Sequence, residues 1–343
     1  MIEKERPITS GDRASVDRAV RLGALVVLAG FAVAWAACVE DFKPASELGD
    51  HIQVLCLRTE PPQAHPGDEV TVQSLVYVPQ EAPAPLDSLW LSCVPAVGEG
   101  AQTCLSVVFS QVLSSISGCE EQCASDPDPE TCMEICAAEG FLEFSCDPSE
   151  RQKGCLLGTG TELSYEIPDW IREDAKEDEP KTIYLFMMAT ALEGGLATCF
   201  DTWGEQAATG GTVSPTESCT LSLKELDVVN EETELPENPT VFSLSLEGEQ
   251  LPPPPDVQVV QLPGPNPGSK KLLVEFELSI SEDLDGYISW FSDCGKLEST
   301  KTFFNDNRNK LKPDKTGVCS IFAVIRDTVA GQSWIERRVD LRL

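Results

Sequence analysis

The sequence predicts a mainly β protein built as two sandwiches, the first carrying a disulfide-stapled helical insertion. Three observations predict it. Short runs rich in β-branched and aromatic residues alternate with polar ones and are punctuated by Pro, Gly and Asp, as antiparallel strands require. The acidic, Pro-containing stretch NEETELPENPT (230–240) divides those runs into two sets and reads as a linker. Fourteen cysteines stand beside only two histidines, His51 and His65. Composition sets the outer limits: 343 residues that are 41% hydrophobic allow about two cores, and 25 Lys+Arg against 57 Asp+Glu give a net charge of −32. That sign excludes the usual electrostatic route to nucleic acid, which needs clustered cations to displace phosphate counterions. Two histidines leave little material for His-based catalysis or a His-rich metal site.

Residues 1–21 carry Lys4, Arg6, Arg13, Arg18 and Arg21, and residues 22–37, LGALVVLAGFAVAWAA, hold no charge. Sixteen residues are short of the roughly 20 a membrane span needs and suit the core of an export signal. The stretch ends in Trp35-Ala36-Ala37-Cys38, which resembles a bacterial lipobox. The resemblance implies cleavage before Cys38 and acylation of its thiol, so residues 1–37 are the signal and Cys38 is the lipidation site. An uncut signal anchor and ordinary cleavage at Ala-x-Ala are the alternatives, and all three export the chain. Val39, in place of the Asp that retains enterobacterial lipoproteins in the inner membrane, implies the outer membrane, on its periplasmic face or at the cell surface. The polar residues 38–50 then form a tether.

Setting Cys38 aside leaves thirteen cysteines, a number expected in an oxidising compartment. Cys56 lies inside the apolar run IQVLCL with no near partner, so it is the one expected to stay free as a small hydrophobe.

The first sandwich is expected over 51–229. IQVLCLRTEP (52–61), EVTVQSLVYVP (69–79) and LDSLWLSC (86–93) are its opening strands, with HPGD (65–68) as a turn. KTIYLFMMATAL (181–192) and CTLSLKELDVV (219–229) close it, the former reading as a strand buried on both faces. Strand, Glu-Pro-Pro, Pro-Gly-Asp, alternating strand and Trp90-x-x-Cys93 together resemble the first half of an immunoglobulin-like sandwich of bacterial surface lipoproteins. Cys199 and Cys219 flank a Gly- and Thr-rich loop and would staple a long hairpin. Residues between Trp90 and Lys181 exceed what a sandwich loop needs, which places an insertion there, cysteine-rich and helical over about 105–160.

Within it, Cys119-x3-Cys123 and Cys132-x3-Cys136 put each pair on one helix face. ASDPDPET stops one helix and caps the next, so antiparallel folding brings Cys119 to Cys136 and Cys123 to Cys132. The spacing resembles the twin CX3C hairpin of small disulfide-stapled proteins, and a structural zinc site is the alternative. Spacing also offers Cys93–Cys104 and Cys146–Cys155 as short loops.

The second sandwich is expected over 241–343. VFSLSLEGEQL, LLVEFELSI (272–280), SEDLDGYISWFSDCG (281–295), GVCSIFAVIRDTVAG (317–331) and WIERRVDLRL (334–343) supply its strands. Asp283-x-Asp285-Gly286, Trp290 and Ile325-Arg326-Asp327 with Gly331 resemble PKD-like or cadherin-like domains, and Cys294 is placed to bond Cys319 across neighbouring strands.

Asp283 and Asp285 are calcium candidates, since that ion takes several carboxylate and carbonyl oxygens, and Asp126, Asp128 and Glu130 are weaker ones. Asp and Gly also serve a plain turn. No Gly-x-Ser-x-Gly, phosphate-cradling Gly loop or His-Glu-x-x-His occurs, so no catalytic residue or other cofactor is assigned. The expected function is therefore a lipid-anchored, non-catalytic binding, adhesion or scaffold module of the cell envelope. Its expected partners are the membrane, through the lipid, and an envelope protein or glycan met by the insertion between 94 and 180. An envelope glycan hydrolase using a carboxylate pair and a calcium-dependent adhesion module are the alternatives.

Overall fold

In the computed structural model the described residues are 48–95, 100–106, 108, 123, 128, 145–149, 151, 154–171, 181–208, 219–261, 274–280, 285–328 and 330–342. Two sheets form the first sandwich. One has the order β1-β3-β6, with β1 at Gln53–Glu60, β3 at Glu69–Tyr77 and β6 at Glu162–Glu166. The other runs β2-β8-β7-β4-β5, with β2 at Gln63–Ala64, β8 at Cys219–Val228, β7 at Lys181–Thr190, β4 at Asp87–Cys93 and β5 at Gly154–Thr159. All pairs are antiparallel except β2 on β8, where the short strand crosses from one sheet to the edge of the other and lies parallel to it. Trp90 on β4 is fully buried between the sheets, and its indole N–H donates to Gly160 O at 2.8 Å.

The second sandwich repeats this plan. β9 (Val241–Leu246), β10 (Glu249–Gln250), β12 (Val274–Ile280), β14 (Gly295–Leu297) and β16 (Arg308–Pro313) make a sheet ordered β10-β9-β12-β16-β14. β11 (Val257–Gln261), β13 (Gly286–Ser292), β15 (Lys301–Phe303), β17 (Gly317–Asp327) and β18 (Gln332–Arg342) make the other, ordered β11-β18-β17-β13-β15. Again a crossing strand, β11, lies parallel to the last strand, and again a strand tryptophan, Trp290, fills the core and donates to Thr302 Oγ1 at 2.9 Å. Paired sheets with this order, and a buried tryptophan on the third long strand, are the immunoglobulin-like arrangement. The Asp-Gly pattern has a packing reason: Gly286 faces Asp327, and a Cβ there would lie 2.1 Å from Arg326 O. Asp327 itself closes the β17–β18 turn, its carboxylate accepting from Gly331 N at 2.7 Å.

Two strands are apolar throughout because both their faces are covered. On β7, Ile183, Leu185 and Met187 enter the inter-sheet core, while Phe186 and Met188 face outward under a second apolar layer. That layer is made by residues 101–106 and 108 and by helix α1 (Gly195–Ala208). The Gly- and Thr-rich loop expected between Cys199 and Cys219 is therefore helical in its first half. Leu196, Cys199, Phe200 and Trp203 recur at helical spacing and form the buried stripe, with Trp203 fully buried. Asp87 holds the helix start, its carboxylate accepting from Leu196 N at 2.9 Å. Residues 154–166, read from sequence largely as insertion, supply β5 and β6.

On β17, Ile321, Ala323 and Ile325 enter the second core, while Phe322 and Val324 pack outward against Leu55, Cys56, Leu75 and Tyr77 of the first sandwich. The residues from Ser46 to Leu343 thus form one compact unit. Around this apolar patch Arg58 lies over the Trp334 ring at 4.8 Å, Arg326 donates to Leu55 O, and the buried Lys224 donates to Ala330 O at 3.0 Å. The stretch 230–240 is fastened rather than loose: Asn238 donates to Thr59 O at 2.8 Å and accepts from Gln332 N at 2.7 Å. Asn238→Ala leaves both groups unpaired and is expected to cost about 1–3 kcal/mol in urea unfolding. An unchanged midpoint would show that the clasp contributes nothing.

Candidate functional site

Four disulfides are described. Cys93–Cys104 ties residues 101–106 to β4, Cys199–Cys219 ties α1 to β8, and Cys146–Cys155 ties the returning arm of the insertion to β5. Cys294–Cys319 joins the end of β13 to β17. The three in the first sandwich each fix an appended segment to a strand, and none links its two sheets. Cys56 is a free, buried thiol that donates to Gln332 Oε1 at 3.0 Å. Cys123 is buried and disulfide-bonded, while Cys119, Cys132 and Cys136, with Asp126 and Glu130, lie outside the described residues. So do Cys38 and Asp283.

Asp285 is exposed, and its backbone carbonyl accepts from Thr328 N at 3.1 Å. Among the described residues, Asp293, Cys294 and Cys319 cluster closely enough to suggest a metal, but both sulfurs are joined in the disulfide and Asp293 accepts from Ser320 N. His65 serves the turn at 65–68, where its ring meets Asp68 and Thr233 O.

The site with the most chemistry lies where the two sheets of the first sandwich end. β5 is the edge of one sheet and β6 the edge of the other, and a cavity of ≈ 220 Å³ sits beside them. The arm 145–148 forms part of its wall, held on β5 by the Cys146–Cys155 disulfide and by Cys146 N donating to Leu156 O at 3.0 Å. The alternation of ELSYE turns Tyr165 inward and leaves Glu166 exposed. Tyr165 is 4% exposed and its hydroxyl accepts from Ser92 Oγ at 2.9 Å. Burial pushes the Tyr165 phenol up to about 12, so it carries its proton at neutral pH. Trp170 lines the cavity from within the turn at 168–171, and its indole N–H is buried with no hydrogen-bond partner among the described residues.

Asp147 and Glu166 are among the lining residues, and both are exposed. Asp147 Oδ1 accepts from Ser149 N and Oγ, and those bonds hold its carboxyl below the usual range. It stays an anion at neutral pH, the reverse of the raised carboxyl that a glycosidase's general acid requires. Among the described residues, the lining includes groups that donate and groups that accept hydrogen bonds. Tyr165, Trp170 and Glu166 were not among the residues singled out from sequence, although TELSYEIPDW carries a period-2 signal that ends in the tryptophan.

No protein-family model matches the chain, and no curated protein matches it. Solved structures that it resembles include the D0-D1 domain of intimin, at 7% identity and TM-score 0.21 over 84% of this chain and 99% of that one. Fibronectin(III)-like modules of Clostridium thermocellum CbhA match at 9% and 0.22, over 84% and 94%. The two tandem V-type regions of VCBP3 match at 8% and 0.24, over 85% and 100%. Values this low carry no argument. The immunoglobulin-like assignment rests on the strand order, the parallel crossing strands and the two buried tryptophans.

Proposed function

We propose that this chain is an exported, lipid-anchored protein of the cell envelope whose sandwiches act as a non-catalytic binding module. The edge cavity supports the reading: it is a concave site beside β5 and β6, lined by Tyr165, Trp170 and the disulfide-held arm 145–148. The paired cysteines support an oxidising compartment. Anchoring rests on Trp35-Ala36-Ala37-Cys38 behind an uncharged core, and the outer membrane on Val39. Apart from Ser92, the residues lining the cavity fall within 94–180, the stretch the sequence singles out as a contact surface.

Growth with an alkyne-tagged palmitate tests the anchor. Wild type should take up the tag and fractionate with membranes, and Cys38→Ser should do neither. Equal tagging of the two would sink the anchor and leave a signal anchor or a soluble exported form.

A further inference from the structure

We propose that two copies of this chain pair through strand β11 of the second sandwich, the two strands running antiparallel and joining a five-stranded sheet of each copy into one. The other sheet edges are guarded. β1 lies at the junction of the sandwiches, where its Leu55 O accepts from Arg326, and β5 is covered by the arm that bonds to Leu156 O through Cys146 N. β6 carries Glu162 and Glu166, β2 and β10 are two residues long, and β14 and β15 are three residues long with exposed Lys296 and Lys301. Cover, charge and shortness are the means by which an edge avoids pairing with another chain. β11 has none of them. Its sequence VQVVQ runs five residues without a charge, and among the described residues its only backbone ladder is the one with β18. Alternate N–H and C=O groups on its other side therefore face outward.

The side chains favour a second copy as the strand that completes this edge. Register on β18 sets Gln258 and Val260 opposite the core residues Val339 and Leu341, which puts Val257, Val259 and Gln261 on the outer face. Val257 and Val259 are 37% and 45% exposed there, and Val318, in the same row as Val259, is 44% exposed. Paired with its copy about Val259, the strand sets Val259 opposite Val259 and Val257 opposite Gln261. Val257 and Val259 of both copies then form one apolar patch through direct and diagonal contacts, with glutamines at its rim. Charge permits this contact where it opposes others. Residues 241–343 hold 12 Lys+Arg and 15 Asp+Glu, a net −3 of the chain's −32, so the copies meet at the sandwich that repels its copy least. Beside the strand, Arg338 pairs with Glu336 and Arg342 with Asp340, so the neighbouring rows are balanced as well. A contact about a two-fold axis closes at two chains and adds no third. Five residues a side fall short of the roughly 20–30 of a standard interface, so the dimer is weak, with a Kd of about 100 μM.

A cysteine on the two-fold reads out the pairing in the full chain. Directly opposed residues of antiparallel strands have Cα atoms about 4.5–5.5 Å apart, within disulfide reach. Under mild oxidation Val259→Cys is expected to form a covalent dimer on non-reducing gels. Phe303→Cys, 65% exposed on the opposite edge strand β15, is expected to stay monomeric. Sedimentation of the detergent-solubilised wild type should show a reversible dimer. Val259→Lys, which charges the edge at an exposed position, should weaken it about tenfold or more with the thermal midpoint unchanged. Equal crosslinking by the two cysteines overturns the inference, as does a wild type that stays monomeric up to millimolar concentration or a dimer that Val259→Lys leaves intact. If Val259→Lys lowers the midpoint, the crosslinking comparison decides. Capture of a different envelope protein by a monomeric wild type, but not by Val259→Lys, also overturns the inference and gives the edge to that protein's strand.

Discussion

Replacing Cys199 and Cys219 together by alanine is expected to lower the unfolding free energy by about 3 kcal/mol and to make the protein bind an apolar dye in its folded state. The first number follows from the chain entropy restored to the unfolded state when a loop of 20 residues is opened. The second follows from where the bond sits. It fixes α1 on a sheet face that would otherwise present Phe186, Met188 and Leu91 to water. Trp203 and Phe200 cover that face, with their rings edge-on at 6.5 Å. Without the bond the helix keeps that packing and the Asp87 cap. The parallel experiment on Cys294 and Cys319 opens a loop of 25 residues and should cost a similar amount. Dye binding should not appear there, because that pair faces a core closed by two complete sheets. Equal dye binding by the two variants would show that α1 is not a separately attached cover.

What the sequence exposed and what it hid follow from how each residue is buried. Strands β7 and β17 are legible because both faces are covered, so their apolar character is continuous and neither can be mistaken for a loop. Trp90 and Trp290 mark equivalent strands because a large ring with a polar tip fits a sandwich core only where a carbonyl or hydroxyl waits for its N–H. Cysteines close in sequence are joined in Cys93–Cys104 and Cys146–Cys155, where short loops leave little choice.

Helix α1 was hidden by composition. Thr, Gly and Ala dilute its stripe, and the Gly-Gly-Thr run beyond it dominates the window. The short strands β14, β15 and β16 were hidden because their exposed faces carry Lys296, Lys301, Lys310 and Lys312, which keep edge and outer positions soluble at the expense of a strand signal. The cavity draws on β4, the arm 145–148, β5, β6 and the turn after it. Only the closing of the Cys146–Cys155 loop brings those pieces together, and no local pattern records that.

Raising the pH from 8 to 10.5 is expected to remove about 2–3 kcal/mol of stability, most of it through Cys56. Burial at the junction of the sandwiches pushes this thiol from 9.0 to about 11, against the pull of Arg326, Lys224 and Arg58. Below pH 9 the thiol is protonated in both folded and unfolded chains and the protein keeps its full stability. Above 9 the unfolded chain sheds the proton and the folded one holds it, so unfolding becomes easier by about 1.4 kcal/mol per unit until the folded value is reached. Tyr165, raised from 10.0 to about 12, adds the same sign of effect one unit later. Tyr77 is also raised, but its hydroxyl reaches the rim at Gly49 O, so its share is discounted for solvent. Lys224 opposes them: burial lowers its value, the folded chain favours the neutral amine, and its cost is relieved as pH rises. Cys56→Val removes the thiol while keeping an apolar side chain on β1. Its stability should stay nearly level between pH 8 and 10, where wild type already declines. Parallel loss in the two proteins would place the alkaline weakness elsewhere and would separate Cys56 from the contact that holds the sandwiches together.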